Sequence, residues 1–263
     1  MLLIADNLQI TKESVQKALA QRDAKTIRNL VGRCEESGAD AIDINTGPLG
    51  KNAEDKMKFF VDAVQEVTEL PIVIDTANPM AIEAGLKCAK NRAIINGFSL
   101  EPKKIEKILP LAKTFDTDIM GYLLTKEGQV PKTATQRLTI ASEIHSKIIE
   151  EDISEERLII DPVLVPLIWD DGKNQDFELL GVIRLLPDVL GFEVKTVVGL
   201  SNLSAGAPAS LKKNIIENSY LSMLAASGLS MVLLNIFNTE TVKTAKAIEE
   251  LLNPGIFSWE VSQ

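Results

Sequence analysis

Histidine is nearly missing from this chain, with His145 the only one among 263 residues. Any metal site or Ser/His/Asp or Cys/His constellation needing a second imidazole is thereby excluded, leaving carboxylates, side-chain amides or a bound cofactor to carry the chemistry. Cysteine is scarce too: Cys34 and Cys88 each fall in a helix-period segment with no close Cys or His, so reduced thiols are expected and no metal site. Basic residues are in deficit. Lys and Arg total 28 against 37 Asp and Glu, a formal net charge of −9, which argues against nucleic acid as a partner because phosphate backbones require a basic face. No apolar run approaches the roughly 18 residues of a membrane span. The opening MLLIADNLQI reaches Asp6 too early for a signal peptide, so a cytoplasmic location away from membranes is expected. A glycine-rich phosphate loop is also lacking, since AGAPA at 205–209 has no Lys/Ser pattern around it.

What is present is a regular alternation. Short apolar, β-branched runs near 2–5, 39–45, 71–76, 92–97, 118–124, 157–164, 195–203 and 230–236 read as strands. Helix-period segments lie between and after them, near 25–37, 53–68, 79–89, 102–114, 133–150, 175–187, 212–227 and 239–252. Eight β/α units with buried, non-alternating strands predict a closed (β/α)8 TIM barrel, a fold of about 250 residues, as a single domain over 1–263. An open doubly wound sheet gives the same alternation and stays as the alternative. The acidic run from Glu150 to Glu156 reads as a solvated helix end, and His145 as a helix-surface residue.

In such a barrel, chemistry gathers at the C-terminal ends of the strands, so a polar residue closing an apolar strand is informative. Asp43 and Asn45 occur in AIDINTGP, Asp75 in PIVIDTANP, Asn96 in RAIINGF, Asp161 in RLIIDPVLVP and Asn202 in TVVGLSNLS. Each alone could cap a turn or helix. Their repetition on successive strand ends points to one shared ligand, because a buried carboxylate or amide without partners costs several kcal/mol. Ionised Asp only accepts hydrogen bonds, whereas Asn donates and accepts; together they suit a ring edge carrying adjacent N–H donors and an acceptor, as guanine-like and pterin rings do. Mg2+ is the alternative occupant, although the candidates lack a clustered carboxylate pair.

The segments GADAIDINTGP (38–48), PIVIDTANPMAIEAGLK (71–87), AIINGFS (93–99), GxxxTKEGQVPKT with its preceding strand (121–133), LIIDPVLVP (158–166) and TVVGLSNLSAG (196–206) together resemble the pterin-binding methyltransferases. Within that dihydropteroate synthase-like family, the chain is most similar to the methyltetrahydrofolate:corrinoid protein methyltransferases, over about residues 1–254. The resemblance implies a TIM barrel that moves a methyl group between N5 of (methyl)tetrahydrofolate and the cobalt of cobalamin carried by a separate corrinoid protein. It implies that Asp75, Asn96 and Asp161 hydrogen-bond the pterin, that Asn202 lies near the reacting N5, and that Asp43 and Asn45 support them. It also implies a homodimer. No side chain stands out in the sequence as a general acid near neutral pH.

Two departures sit on the expected rim. Asp6, Asn7 and Gln9 stand where the acetogen-type enzymes carry Glu, Arg and Asn, and residues 205–213, with Lys212 and Lys213, lack those enzymes' Ser-Gln and Arg pattern. They shift the expected system from acetyl-CoA synthesis towards O-demethylation. Dihydropteroate synthase is a rival, but the eighth strand ends Leu234-Asn235-Ile236 without that family's Arg-x-His. A non-catalytic folate carrier or corrinoid-partner subunit is a further alternative.

Overall fold

A computed structural model describes residues 1–47, 49–208, 210–255 and 259. Pro48, closing the GADAIDINTGP segment, and Ala209, within the 205–213 loop, lie outside the described residues, as do 256–258 and 260–263. Strands β1 (Leu2–Gln9), β2 (Ala41–Asn45), β3 (Ile72–Asp75), β4 (Ala93–Phe98), β5 (Asp118–Tyr122), β6 (Leu158–Asp161), β7 (Lys195–Gly199) and β8 (Met231–Leu234) pair in parallel, in order, and close into a barrel. Helices α1 (Glu13–Gln21) and α2 (Ala24–Glu36) follow β1; α3 (Ala53–Gln65), α4 (Pro79–Cys88) and α5 (Pro102–Thr114) follow the next three strands. Helices α6 (Ala134–Glu150), α7 (Gly172–Leu190), α8 (Leu211–Ala226) and α9 (Thr239–Leu252) complete the outer ring. The expected (β/α)8 barrel is thus the observed fold, and the open sheet is ruled out by the β1–β8 pairing. Among the described residues, no helix is long and apolar enough to cross a membrane.

Local chemistry explains the boundaries. Asn78 caps α4 through Met80 and Ala81 with Pro79 in the first turn, and Thr133 forms a reciprocal capping box with Gln136 at α6. Strand residues alternate between a layer facing the helices, such as Ile42, Ile44, Ile72 and Ile74, and a layer inside the barrel. The inner layer is apolar low in the barrel, where Ile4, Ala41, Val73, Ile94, Met231 and Leu233 meet. At its N-terminal end stands Asp118, a buried carboxylate in contact with Arg92, Arg157 and Lys195.

The structure shifts several expected boundaries. β1 runs on to Gln9, so Asp6, Asn7 and Gln9 are strand residues rather than loop; the irregular register between Ala5 and Leu8 hides this in the sequence. Helix α1, not anticipated, buries only Val15 and Ala18, too sparse a stripe to give a clear period. The seventh strand stops at Gly199, and Asn202 lies instead in a one-turn helix, Leu200–Ser204. Buried Leu200 and Leu203 make that turn look like strand.

The β4–β5 register slips between Asn96 and Phe98, with Gly97 at the slip. A Cβ on Gly97 would stand 2.5 Å from the Met120 carbonyl oxygen, so glycine is required beside Asn96. Gly97→Ala is expected to lower stability by about 1–3 kcal/mol in urea denaturation, the usual penalty for overpacking. An unchanged midpoint would mean the strand shifts freely.

Candidate active site

Register turns separate strand ends into one band. Asn45 pairs laterally with Asp75, and Asp75 with Asn96. Across the slip, Tyr122 pairs with Asp161. Parallel partners point to the same side, so all five side chains face the C-terminal mouth of the barrel. The amide of Asn45 donates to Asp75 Oδ2 at 2.6 Å, and the Tyr122 hydroxyl donates to Asn96 Oδ1. Asp161 Oδ1 accepts from the Val163 N–H at 2.8 Å, while Val163 adopts φ +61°, a left-handed conformation that β-branched residues avoid. The carboxylate therefore holds the start of the β6–α7 loop in a strained turn.

Asp43 does not stand on this band. It is opposite Val73, one inward-facing step deeper than Asn45, fully buried, and neither oxygen has a hydrogen-bond partner among the described residues. Burial, followed by the negative charges of Asp75 and Asp6, pushes its carboxyl well above the usual range. Burial and the charge of Asp6 raise Asp75 to about 7, against the opposing Asn45 hydrogen bond. Asp161 also rises to about 7, through burial, against the Val163 N–H and the positive charge of Arg137. Asp6 is raised by burial despite Gln9 and Lys12. Burial thus brings both Asp75 and Asp161 towards neutral pH, where a carboxyl can act as acid or base. Among the described residues, no three His, Cys, Asp or Glu side chains form a group suited to a metal.

Asn202 is exposed at the mouth and makes no side-chain hydrogen bond among the described residues, so the structure does not join it to the band. Its amide nitrogen lies 3.3 Å from where a Cβ on Gly199 would stand, folded back over the end of β7. Beside it opens a cavity of about 280 Å3 lined by Ser201, Ser210, Lys213, Asn214 and Asn235. His145 lies elsewhere, its ring tilted against Phe192 and 3.1 Å from Glu155. Sequence reasoning missed Tyr122, hidden in the apolar run DIMGYLL, and Arg137. The signal for Arg137 was its place on the buried stripe of α6 with Ile140, Ile144 and Ile148, where an apolar residue is expected.

Fold and mouth together define a (β/α)8-barrel protein whose polar residues are concentrated at the C-terminal strand ends, the place where barrels carry out chemistry. The chain belongs to the pterin-binding enzyme family, whose model matches residues 6–235. It is 23% identical over 256 residues to the methylcorrinoid:tetrahydrofolate methyltransferase of Eubacterium limosum, covering 96% of this chain and 91% of that protein. It is 22% identical over 233 residues to the methionine synthase of Mycobacterium tuberculosis, covering 84% of this chain and 19% of that longer protein. Among solved structures it superposes on the dihydropteroate synthase of Xanthomonas albilineans, determined with 4-aminobenzoic acid, at a TM-score of 0.69. That match has 14% identity and covers 96% of this chain and 94% of the other, a likeness of fold.

The raised carboxyls bear on stability with a definite sign. Asp161 holds its proton more tightly in the folded protein than in the unfolded chain, so its contribution falls as pH rises between about 4 and 7. Asp161→Asn is therefore expected to stabilise the protein by on the order of 2–4 kcal/mol at pH 8 and by almost nothing at pH 4. Thermal denaturation across that range checks it; a variant less stable at pH 8 would contradict the burial account.

Proposed function

We propose that this protein is a methyltransferase that moves a methyl group between N5 of (methyl)tetrahydrofolate and the cobalt of cobalamin carried by a separate corrinoid protein. The observation that carries the reading is the continuous band Asn45, Asp75, Asn96, Tyr122 and Asp161, acceptors interleaved with donors across neighbouring strands. Ionised Asp75 and Asp161 accept the ring's N–H groups, and the amide of Asn96 meets a neighbouring ring position. Asp43, fully buried one inward step below Asn45, supports the floor. Family membership and the similarity to a methylcorrinoid:tetrahydrofolate methyltransferase along nearly the whole chain support the same substrates.

In the forward direction Co(I) attacks the methyl carbon, the C–N5 bond breaks with its electron pair left on nitrogen, and N5 carries a proton away. A tertiary amine leaves poorly unless that proton is supplied as the bond breaks. Asn202 accepts a hydrogen bond from protonated N5, an interaction that strengthens as positive charge builds, the proton itself being taken from solvent. In reverse, free N5 attacks methyl-cobalt at the same place.

The rim departures at Asp6, Asn7, Gln9 and 205–213 favour service in an O-demethylase or related one-carbon system in the cytoplasm. Synthesis of dihydropteroate is the weaker reading, because β8 is MVLL followed by Asn235 and Ile236, without the Arg-x-His expected of that activity. A homodimer is proposed as well, through the exposed apolar side chains Phe177, Leu185 and Val189, spaced by multiples of four along α7, with Ile215 and Met223 on α8.

The function is tested by mixing the enzyme with methyltetrahydrofolate and free Co(I) cobalamin and following loss of the Co(I) spectrum. Transfer is expected, and none would overturn the reading. Asn202→Ala is expected to slow single-turnover transfer by about 10- to 1,000-fold with little change in folate affinity, as for a group acting mainly in the transition state. Lost affinity with a normal rate at saturation would make Asn202 a binding residue only. For assembly, Leu185→Glu is expected to halve the mass seen by light scattering; an unchanged mass would exclude this face.

A further inference from the structure

Arg137 is fully buried, which is rare for an arginine without a close ion pair. Its Nε donates to the Pro131 carbonyl at 3.0 Å, whereas Nη1 and Nη2 have no hydrogen-bond partner among the described residues. Two buried acceptor atoms of α7, Asp176 Oδ2 and Gln175 Oε1, are likewise without partners among those residues. The charged and titratable groups facing the guanidinium are Asp176 and Glu178 from α7, Tyr220 from α8 and Asp161 from β6. Asp161 in turn faces Arg137 and, from β5, Tyr122. Because no single carboxylate consumes the guanidinium, its charge acts on Asp161 as well as on Asp176.

The backbone contacts run the same way. Through Pro131 the guanidinium fixes the segment between β5 and α6. Asp176 Oδ1 accepts from Val165 N at 3.2 Å, which ties the segment between β6 and α7 to α7, and the Asp176 carbonyl accepts from the Tyr220 hydroxyl at 2.7 Å, which ties α7 to α8. That second segment begins with the strained Val163 turn held by Asp161. Leucine or methionine would fill the space on α6 without the desolvation cost of a buried cation, so packing alone gives no reason for arginine here.

We propose that Arg137 is a positioning residue of the mouth: a buried cation that favours the ionised, accepting form of Asp161 and braces, through Pro131, the rim segment between β5 and α6. The ligand half of this inference rests on the proposed function; the electrostatic half does not. The experiment is a pH titration of the Asp161 side-chain carboxyl by carbon-13 NMR in ligand-free protein, assigned with Asp161→Asn, paired with calorimetric titration of tetrahydrofolate.

In Arg137→Met the Asp161 midpoint is expected to rise by about one pH unit, while Arg137→Lys, which keeps the charge, stays near the parent. Since protonation turns one carboxyl oxygen into a donor that opposes the ring's N–H groups, tetrahydrofolate affinity of the Met variant should fall on the order of fivefold at pH 7 and recover by about pH 9. Asp176, itself raised to about 7 by burial, competes for the guanidinium as it ionises, so Asp176→Asn should move the Asp161 midpoint the other way, a result that also decides the matter if Arg137→Met does not fold. An Asp161 midpoint unmoved by Asp176→Asn, or by Arg137→Met when folded, would overturn the inference and leave Arg137 a packing residue. Shifted midpoints in a protein that binds no tetrahydrofolate would uphold Arg137 and overturn the functional reading instead.

Discussion

Placing carboxylates inside a protein is costly, because each ionised group gives up hydration worth many kcal/mol and is stable there only with compensating partners or a proton. Asp6, Asp43, Asp75 and Asp161 all sit in the C-terminal half of one barrel. Nearby positive charge comes from Lys12 beside Asp6 and Arg137 beside Asp161. The rest of the molecule answers to that constraint. The lower half of the barrel interior is apolar, the N-terminal end carries the Asp118 ion cluster, and Ile42, Ile44, Ile72 and Ile74 pack the strands against the helices. Stability is supplied by regions away from the mouth, and the mouth itself works against it, as expected where function competes with folding.

The same constraint sets the chemistry. A carboxyl in water is fully ionised at pH 7 and can only accept; lifted to about 7, Asp75 and Asp161 can accept from a ligand's N–H groups or carry a proton, according to what is bound. Asn45 and Tyr122 orient the set without adding charge, through bonds to Asp75 and Asn96. Asp43, buried beneath with no partner for either oxygen among the described residues, is the group least able to ionise while Asp75 and Asp6 are charged. Asn202 lies apart, on a turn at the end of β7.

Much of this is legible in the amino-acid order alone. Runs such as IVID and LIID announce buried parallel strands because β-branched residues stop at a polar one, and that polar residue then stands at the mouth. What escapes such a reading depends on three-dimensional register or on distant partners. The depth of Asp43 follows from inward residues alternating along β2, which places Asn45 and not Asp43 opposite Asp75. Tyr122 reaches the mouth two residues beyond the inward-facing Met120, in register with Asp161, a placement set by pairing with β6 and not visible in the run DIMGYLL. Arg137 belongs to a helix whose buried side is otherwise isoleucine and alanine, and its meaning comes from Asp161 and Asp176, 24 and 39 residues further along the chain. Asn202 looks like strand because its neighbours Leu200 and Leu203 are buried as strand residues would be.

The central claim is that raised carboxyls at the mouth become ionised acceptors when a reduced pterin binds. Calorimetric titration of tetrahydrofolate at pH 7 in buffers of different ionisation enthalpy counts the protons exchanged on binding. Half-protonated Asp75 and Asp161 should together release about one proton as the complex forms. Binding accompanied by proton uptake, or no binding at all, would contradict the account.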